Sequence, residues 1–217
     1  MDEVRVFVGF DPREAAAYHV CCQSILDNTK AEVSFHPVRG EQRDGSNTFT
    51  YARFLVPYRC GFRGVALFLD GDMVARGDIA ELAELTRLDR GVCVVKHEYL
   101  TRHPVKYLGY ANHDYPRKNQ SSVIAWNCGY MPNRVLTPDF VSNHDGAFLH
   151  RFSWLKDEQI GDLPMQWNRL VLEQELQDDD KLRHFTIGSP CFAEYADSPG
   201  AEEWFAALNR ALEPMKP

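Results

Sequence analysis

Asp70 and Asp72 stand two residues apart at the end of the apolar run VALFL (65–69), with Gly71 between them. In an extended chain residues i and i+2 share a face, so both carboxylates can converge on one cation. An all-oxygen pair of this kind suits Mg²⁺ or Mn²⁺. The same stretch, LFLDGDMV (67–74), also fits a phosphatase pattern in which Asp70 is the nucleophile and Asp72 the general acid/base. The plain alternative is a solvated acidic turn. His184 is the other residue with chemistry to offer. It stands late in the strand-like KLRHFTIG (181–188), just before Gly188, where it can serve as a ligand or pack as an ordinary structural histidine. His97, His103, His113, His144 and His150 lie in polar contexts and are expected on the surface or in loops.

Two absences constrain the chemistry. No G-x-G-x-x-G follows the first apolar run, and no G-x-x-x-x-G-K-[ST] occurs anywhere. A bound nucleoside diphosphate would have no glycine-rich cradle. A divalent cation on Asp70 and Asp72 would have to neutralise it instead.

These residues need elements to position them. VRVFVGF (4–10), EVSFHPV (32–38), VALFL, GVCVV (91–95), SSVIAWN (121–127) and KLRHFTIG predict strands, most of them wholly apolar as in a sheet buried on both faces. A helix is predicted over 11–29, with Asp11 as N-cap, Pro12 at its first position and Glu14 at capping-box spacing. Further helices are predicted at 48–60, 78–85, 166–176 and 199–212. Residues 99–120 are rich in Tyr, His and Asn without periodicity and predict a long functional loop. Alternation of apolar strands with helices means an α/β fold on a mainly parallel sheet, in which ligands bind beyond the carboxyl ends of the strands.

The whole chain agrees with that reading. Its 217 residues suit a single domain, and 44% hydrophobic residues supply a core. A net charge of −7 without a basic block argues against nucleic acid or an anionic membrane as partner. No apolar run reaches the ~20 residues that span a bilayer, and the acidic start Met1-Asp2-Glu3 is unlike a signal peptide. The six cysteines form no C-x-x-C and suit small core residues in a reducing compartment, so a cytoplasmic location is expected.

In order along the chain, FVGFDPREAAAYHVCCQSIL, TYAR (50–53), LFLDGDMVARGDIAEL, QSSVIAWN (120–127), LPMQWN (163–168) and HFTIGSP (184–190) resemble the retaining glycosyltransferases of family eight, the glycogenin and lipopolysaccharide galactosyltransferase type. The resemblance runs over residues 4–192. It implies a GT-A type, Rossmann-like nucleotide-binding fold over 1–217, a sugar donor usually linked to UDP, and a saccharide or other hydroxyl acceptor. It also implies Mn²⁺, with Mg²⁺ as the substitute, on Asp70, Asp72 and His184.

By the same resemblance Asp11 and Glu14 lie near base and ribose, although both can simply cap the helix. Arg53, Gly71 and Gly188 belong to the nucleotide site. Gln120, Ser121, Ser122 and Asn168 face the donor sugar or acceptor. The family's catalytic Asp-Gln pair has no clean match; Asp157, Glu158 and Gln159 are the nearby candidates, with Asp157 and Gln159 taken as the pair. The family's closing lysine-proline-tryptophan is replaced here by Ser189-Pro190-Cys191-Phe192, leaving Arg53, Lys181 or Arg183 to supply the missing positive charge. The alternatives are the phosphatase, with Asp178-Asp179-Asp180 as its late acidic group, and a sugar-nucleotide binder without turnover.

Overall fold

The computed structural model describes residues 3–213. Nine strands run as β1 (Val4–Gly9), β2 (Val33–Val38), β3 (Val65–Leu69), β4 (Met73–Ala75), β5 (Val92–Val94), β6 (Val123–Asn127), β7 (Ile160–Asp162), β8 (Arg169–Leu170) and β9 (Leu182–His184). The α-helices are α1 (Ala15–Asn28), α2 (Val56–Arg59), α3 (Ile79–Glu84), α4 (Pro138–Ser142), α5 (Gly146–His150) and α6 (Ala201–Leu212). Six strands form the central sheet in the order β2-β1-β3-β6-β5-β7. β6 alone runs against the others, so the sheet is mainly parallel as expected. A small sheet, β4-β9-β8, is built beside it.

Alternation along the strands feeds two cores. Phe7, Phe68, Ile124 and Trp126 point to one face and pack with Phe54, Leu149 and Phe152. Val6, Val8, Leu67, Leu69, Val123 and Ala125 point to the other, where α1 supplies Cys21 and Ile25 and α3 supplies Ile79 and Leu82. Both faces are therefore covered, which explains the unbroken apolar strands. A third core joins Val20 of α1 to Trp204 and Ala207 of α6, with Val74 from the small sheet and Phe185 just beyond β9. All six cysteines are free thiols. Among the described residues, no helix is long and apolar enough to cross a membrane.

Several elements differ from expectation. The 48–60 helix is a 3₁₀ turn, Ala52–Leu55, followed by the short α2. Positive φ at Gly61 and Phe62 then stops it. No helix forms over 166–176: Met165–Trp167 makes one turn, and Leu170 pairs in parallel with His184 instead. Tertiary pairing overrides local preference there, and the Gln174 side chain takes the Leu170 amide at 3.0 Å. Glu14 completes no capping box. Asp11 caps the 3₁₀ turn Pro12–Glu14, and Glu14 turns inward and is buried.

Candidate active site

β3 ends at Leu69, and the chain reverses through Asp70-Gly71-Asp72 into β4. The reversal is tight: a Cβ on Gly71 would lie 2.3 Å from the Gly9 carbonyl oxygen. Gly71 thus lets this turn pass against the end of β1. Two backbone bonds anchor the carboxylates, Asp70 N to Ser122 O at 2.9 Å and Phe185 N to Asp72 O at 2.9 Å. The second extends the pairing of β4 with β9 by one residue and sets the end of β9 beside the turn. Across it His184 faces Asp72, with Nε2 3.3 Å from Oδ1.

Asp70, Asp72 and His184 each offer one ligand atom, all within 4.8 Å of one another. Asp70 Oδ1 and Asp72 Oδ1 are both buried and make no hydrogen bond. Arg53 Nη1 is 2.9 Å from Asp70 Oδ1, close enough to attract it but not aligned for a hydrogen bond. Burial pushes the Asp70 carboxyl up to about 6, against the pull of Arg53 and with the push of Asp72. Burial acts the same way on Asp72, but the neighbouring His184 more than offsets it and holds its pKa below the ordinary value. Two orphaned carboxylate oxygens and an imidazole nitrogen fit a divalent cation, because buried acceptors rarely stay unpaired without a function.

The imidazole is fixed from behind. His184 Nδ1 lies 3.0 Å from Asn168 Oδ1, and Asn168 Nδ2 donates to Ser122 Oγ at 2.9 Å and to Asn119 O at 3.2 Å. Such a partner sets ring orientation and tautomer and leaves Nε2 for the ligand. Asn168 is fully buried. It thus positions His184 rather than facing a substrate, a correction to the role the resemblance implied.

The triad opens into a cavity of about 680 Å³ beyond the carboxyl ends of β1 and β3. Arg53, Ser121, Ser122, Lys106, Tyr107 and His150 are among its walls. A neighbouring hollow of about 340 Å³ shares Asp44, Ser46, Thr50, Tyr115 and His150 with it. Arg53 is no surface charge. It is buried, donates to Ser121 O at 2.7 Å and lies over the Phe49 and Phe68 rings. Asp11 is buried and held by the Arg13 guanidinium and the Thr48 amide. Glu14 accepts from Tyr107 Oη at 3.0 Å and from Asn47 Nδ2 at 3.3 Å. Burial first, then the charge of Asp72, pushes the Glu14 pKa well up and favours its neutral form. Gln120 is buried in the turn before β6 and is not among the cavity walls.

Other expected residues are elsewhere. Asp157 is exposed and paired with Arg117, and Gln159 bonds Tyr130 Oη and the Lys156 amide. Neither reaches the cavity, because the 3₁₀ turn that carries them leads into β7 on the far edge of the sheet. Gly188 makes room for Tyr195, whose ring would lie 2.3 Å from a Cβ there. Lys181 is engaged by Glu81, and Arg183 by Glu203 and Asp180, so neither supplies charge to the cavity. Asp180 is locked between Arg169 and Arg183.

The 99–120 loop proves to be a strap over the site. Lys106 N donates to Tyr110 O and Tyr107 N to Ile187 O, both at 2.8 Å. The Tyr107 ring stacks on Phe192 with centroids 5.0 Å apart. Lys106, Tyr107 and Asn47 escaped the sequence reading, although the Tyr- and Asn-rich composition marked the strap itself. His97 and His150 also differ from expectation. His97 is buried, and desolvation holds its pKa down at about 3. His150 Nδ1 is 2.6 Å from Ser121 Oγ, and burial aided by Arg53 holds its pKa at about 3, leaving a neutral ring on the wall between the two hollows.

No protein-family model matches the chain. Protein CDI of Arabidopsis thaliana is 37% identical over 224 residues, covering 94% of this chain and 86% of the plant protein. The chain belongs to the Protein CDI family. Among solved structures, the galactosyltransferase LgtC in complex with donor and acceptor sugar analogs aligns with a TM-score of 0.65 at 13% identity over 98% of both chains. The glycosyltransferase GlyE of Streptococcus pneumoniae TIGR4 aligns at 0.67 and 14% identity over 99% of this chain, which spans 61% of GlyE. The bifunctional WbbM aligns at 0.62 and 14% identity over 95% of this chain, which spans half of WbbM. This member of the CDI family therefore has the GT-A glycosyltransferase fold that the family-eight resemblance implied. The phosphatase reading loses its footing. Its motif belongs on a first strand, whereas β3 follows β1 and β2, and Asp70 Oδ1 faces a buried arginine.

Proposed function

We propose that the chain is a divalent-metal-dependent glycosyltransferase that moves a sugar from a nucleotide-sugar donor to a hydroxyl acceptor. The observation that carries this is the convergence of the orphaned oxygens of Asp70 and Asp72 with His184 Nε2, in a cavity at the strand ends of a glycosyltransferase fold. Two carboxylates and one imidazole favour Mn²⁺ over Ca²⁺, since nitrogen ligation follows the transition-metal order. Mn²⁺ there supplies Lewis-acid stabilisation of the charge that develops on the leaving nucleoside diphosphate.

The protein groups do the rest. Arg53, held at Asp70 and Ser121 O, keeps the carboxylate side of the cavity from accumulating negative charge. Ser121 and Ser122 present the donor sugar, and the neighbouring hollow takes the acceptor. His150, held neutral on the wall between them, can accept a hydrogen bond from the acceptor hydroxyl, whose proton would leave on the departing nucleoside diphosphate. UDP is the expected nucleoside diphosphate and retention the expected outcome, both by the resemblance to family eight. Asp70 and Asp72 are assigned to the metal, and Asp44, the further carboxylate on the wall, accepts from Tyr51 Oη. Attack from the leaving-group face is the route that remains.

The test is a screen of nucleotide sugars for hydrolysis or transfer, with and without chelator. Turnover should vanish in EDTA and return with Mn²⁺. Full activity in chelator would contradict the proposal.

A further inference from the structure

The metal end of the cavity can be counted in charges. Asp70 and Asp72 bring two negative charges, and Arg53 brings one positive charge to Asp70. Asp44 and Lys118 stand elsewhere on the same wall, while Lys106, from the strap, is the lysine whose charge acts on both carboxylates. Its ammonium donates to Thr186 Oγ1 at 3.2 Å, and Thr186 lies two residues beyond His184 on the segment that leaves β9. The backbone pins the lysine there, through Tyr107 N to Ile187 O and Lys106 N to Tyr110 O. An ammonium has three donors, and Thr186 uses one. Lys118, the other strap lysine on the cavity wall, is 3.5 Å from Asp114 and lies over the Tyr99 ring.

Burying an ammonium is costly unless opposite charge faces it. Desolvation, with Lys118, lowers the Lys106 pKa, and Asp72 and Asp70 oppose that shift without cancelling it. Without a metal the four side chains cancel. A divalent cation on the carboxylates leaves the site with two unbalanced positive charges, one of which is Lys106. A nucleotide sugar carries two negative charges on its diphosphate diester. Lys106, with two donors left after Thr186, is therefore placed to face the diphosphate beside the metal.

We propose that Lys106 is the protein's own countercharge for the donor diphosphate. This rests on the nucleotide-sugar reading above. It assigns to the strap the positive charge that Arg53, Lys181 and Arg183 do not provide.

Titration calorimetry with Mn²⁺ and with UDP, GDP, UMP and GMP tests it. The proteins are the wild type, Lys106→Met, Lys106→Arg and the surface control Lys96→Met, whose lysine pairs with Asp162. Lys106→Met should weaken the diphosphate that the wild type binds by about tenfold or more, as loss of a charge-assisted hydrogen bond does. The matching monophosphate should change less. Mn²⁺ alone should bind the Met variant as tightly or more tightly, because a like charge beside the metal is gone. Arg should restore much of the diphosphate affinity, and Lys96→Met should behave as wild type. Equal diphosphate affinity in wild type and Lys106→Met would overturn the role of Lys106 alone. Parallel loss of Mn²⁺ and diphosphate would overturn it too, by showing general damage to the site. A wild type that takes up neither diphosphate with Mn²⁺ would overturn this inference together with the nucleotide-sugar reading.

Discussion

The two walls of the cavity are built differently. The Asp70–Asp72 wall belongs to the sheets: backbone bonds to Ser122 and Phe185 hold its turn, and two apolar cores lie beneath it. The opposite wall, the strap around Lys106 and Tyr107, contains one isolated bridge, Val105 to Ala111, and a turn with positive φ at Leu108 and Gly109. It is secured by a few side-chain bonds and by the Tyr107–Phe192 stack. Segments with few buried apolar contacts open at lower free energy than sheet cores. A metal site needs fixed ligands, whereas a donor must enter and its nucleotide must leave. The difference between the walls matches that division.

Changes on the rigid wall should have the largest effects. Asp72→Asn removes a charge at nearly constant volume. It should lower Mn²⁺ affinity by more than the roughly 10–100-fold typical of losing an outer-shell partner, measured by metal titration. Asn168→Ala should stay within that roughly 10–100-fold range, since it frees the His184 ring without removing a ligand. An unchanged Mn²⁺ affinity in Asn168→Ala would mean that the ring needs no support from behind.

Acidity should sharpen the contrast. Burial sets the Asp70 carboxyl at about 6, so it is mostly ionised at neutral pH and takes up a proton below that. Mn²⁺ must displace that proton, so affinity should be flat above about pH 6 and fall by about tenfold per unit below it. Flat binding down to pH 5 would place the metal away from Asp70.

The strap should respond least. Tyr107→Phe removes the hydroxyl between Glu14 and Asn47, with bonds of 3.0 and 2.9 Å. The cost should be about 1 kcal/mol, a fall in Tm of about 2–4 °C for a domain of this size. Mn²⁺ affinity should stay the same. A large loss of Mn²⁺ binding in Tyr107→Phe would show that strap and sheet act as one unit.

The same division explains what was legible in the sequence. The rigid wall is written in local patterns. An apolar run ending in Asp-Gly-Asp and a strand with a late histidine mark Asp70, Asp72 and His184 as candidates, the family resemblance groups them, and the structure brings their ligand atoms within 4.8 Å of one another. The strap lacks periodicity, so composition marks it as functional without saying which side chain points inward. Lys106 depends on a contact with Thr186, 80 residues away. Asn168 shows the same limit: its partner is His184, and only the pairing of β8 with β9 brings them together. The misplacement of Asp157 and Gln159 came from analogy of position, with no local pattern to restrain it. Arg53 stood in a segment read as one long helix, and its burial follows from the aromatic rings beneath it.

The most direct measurement is a Mn²⁺ titration followed by electron paramagnetic resonance, on wild type and His184→Ala, with urea unfolding of both in parallel. The wild type should take up one Mn²⁺ per chain, and His184→Ala should bind it at least about tenfold more weakly, as befits a lost direct ligand, while unfolding as cooperatively as the wild type. Equal Mn²⁺ affinity in the two folded proteins would contradict the assignment of Asp70, Asp72 and His184 as one metal centre.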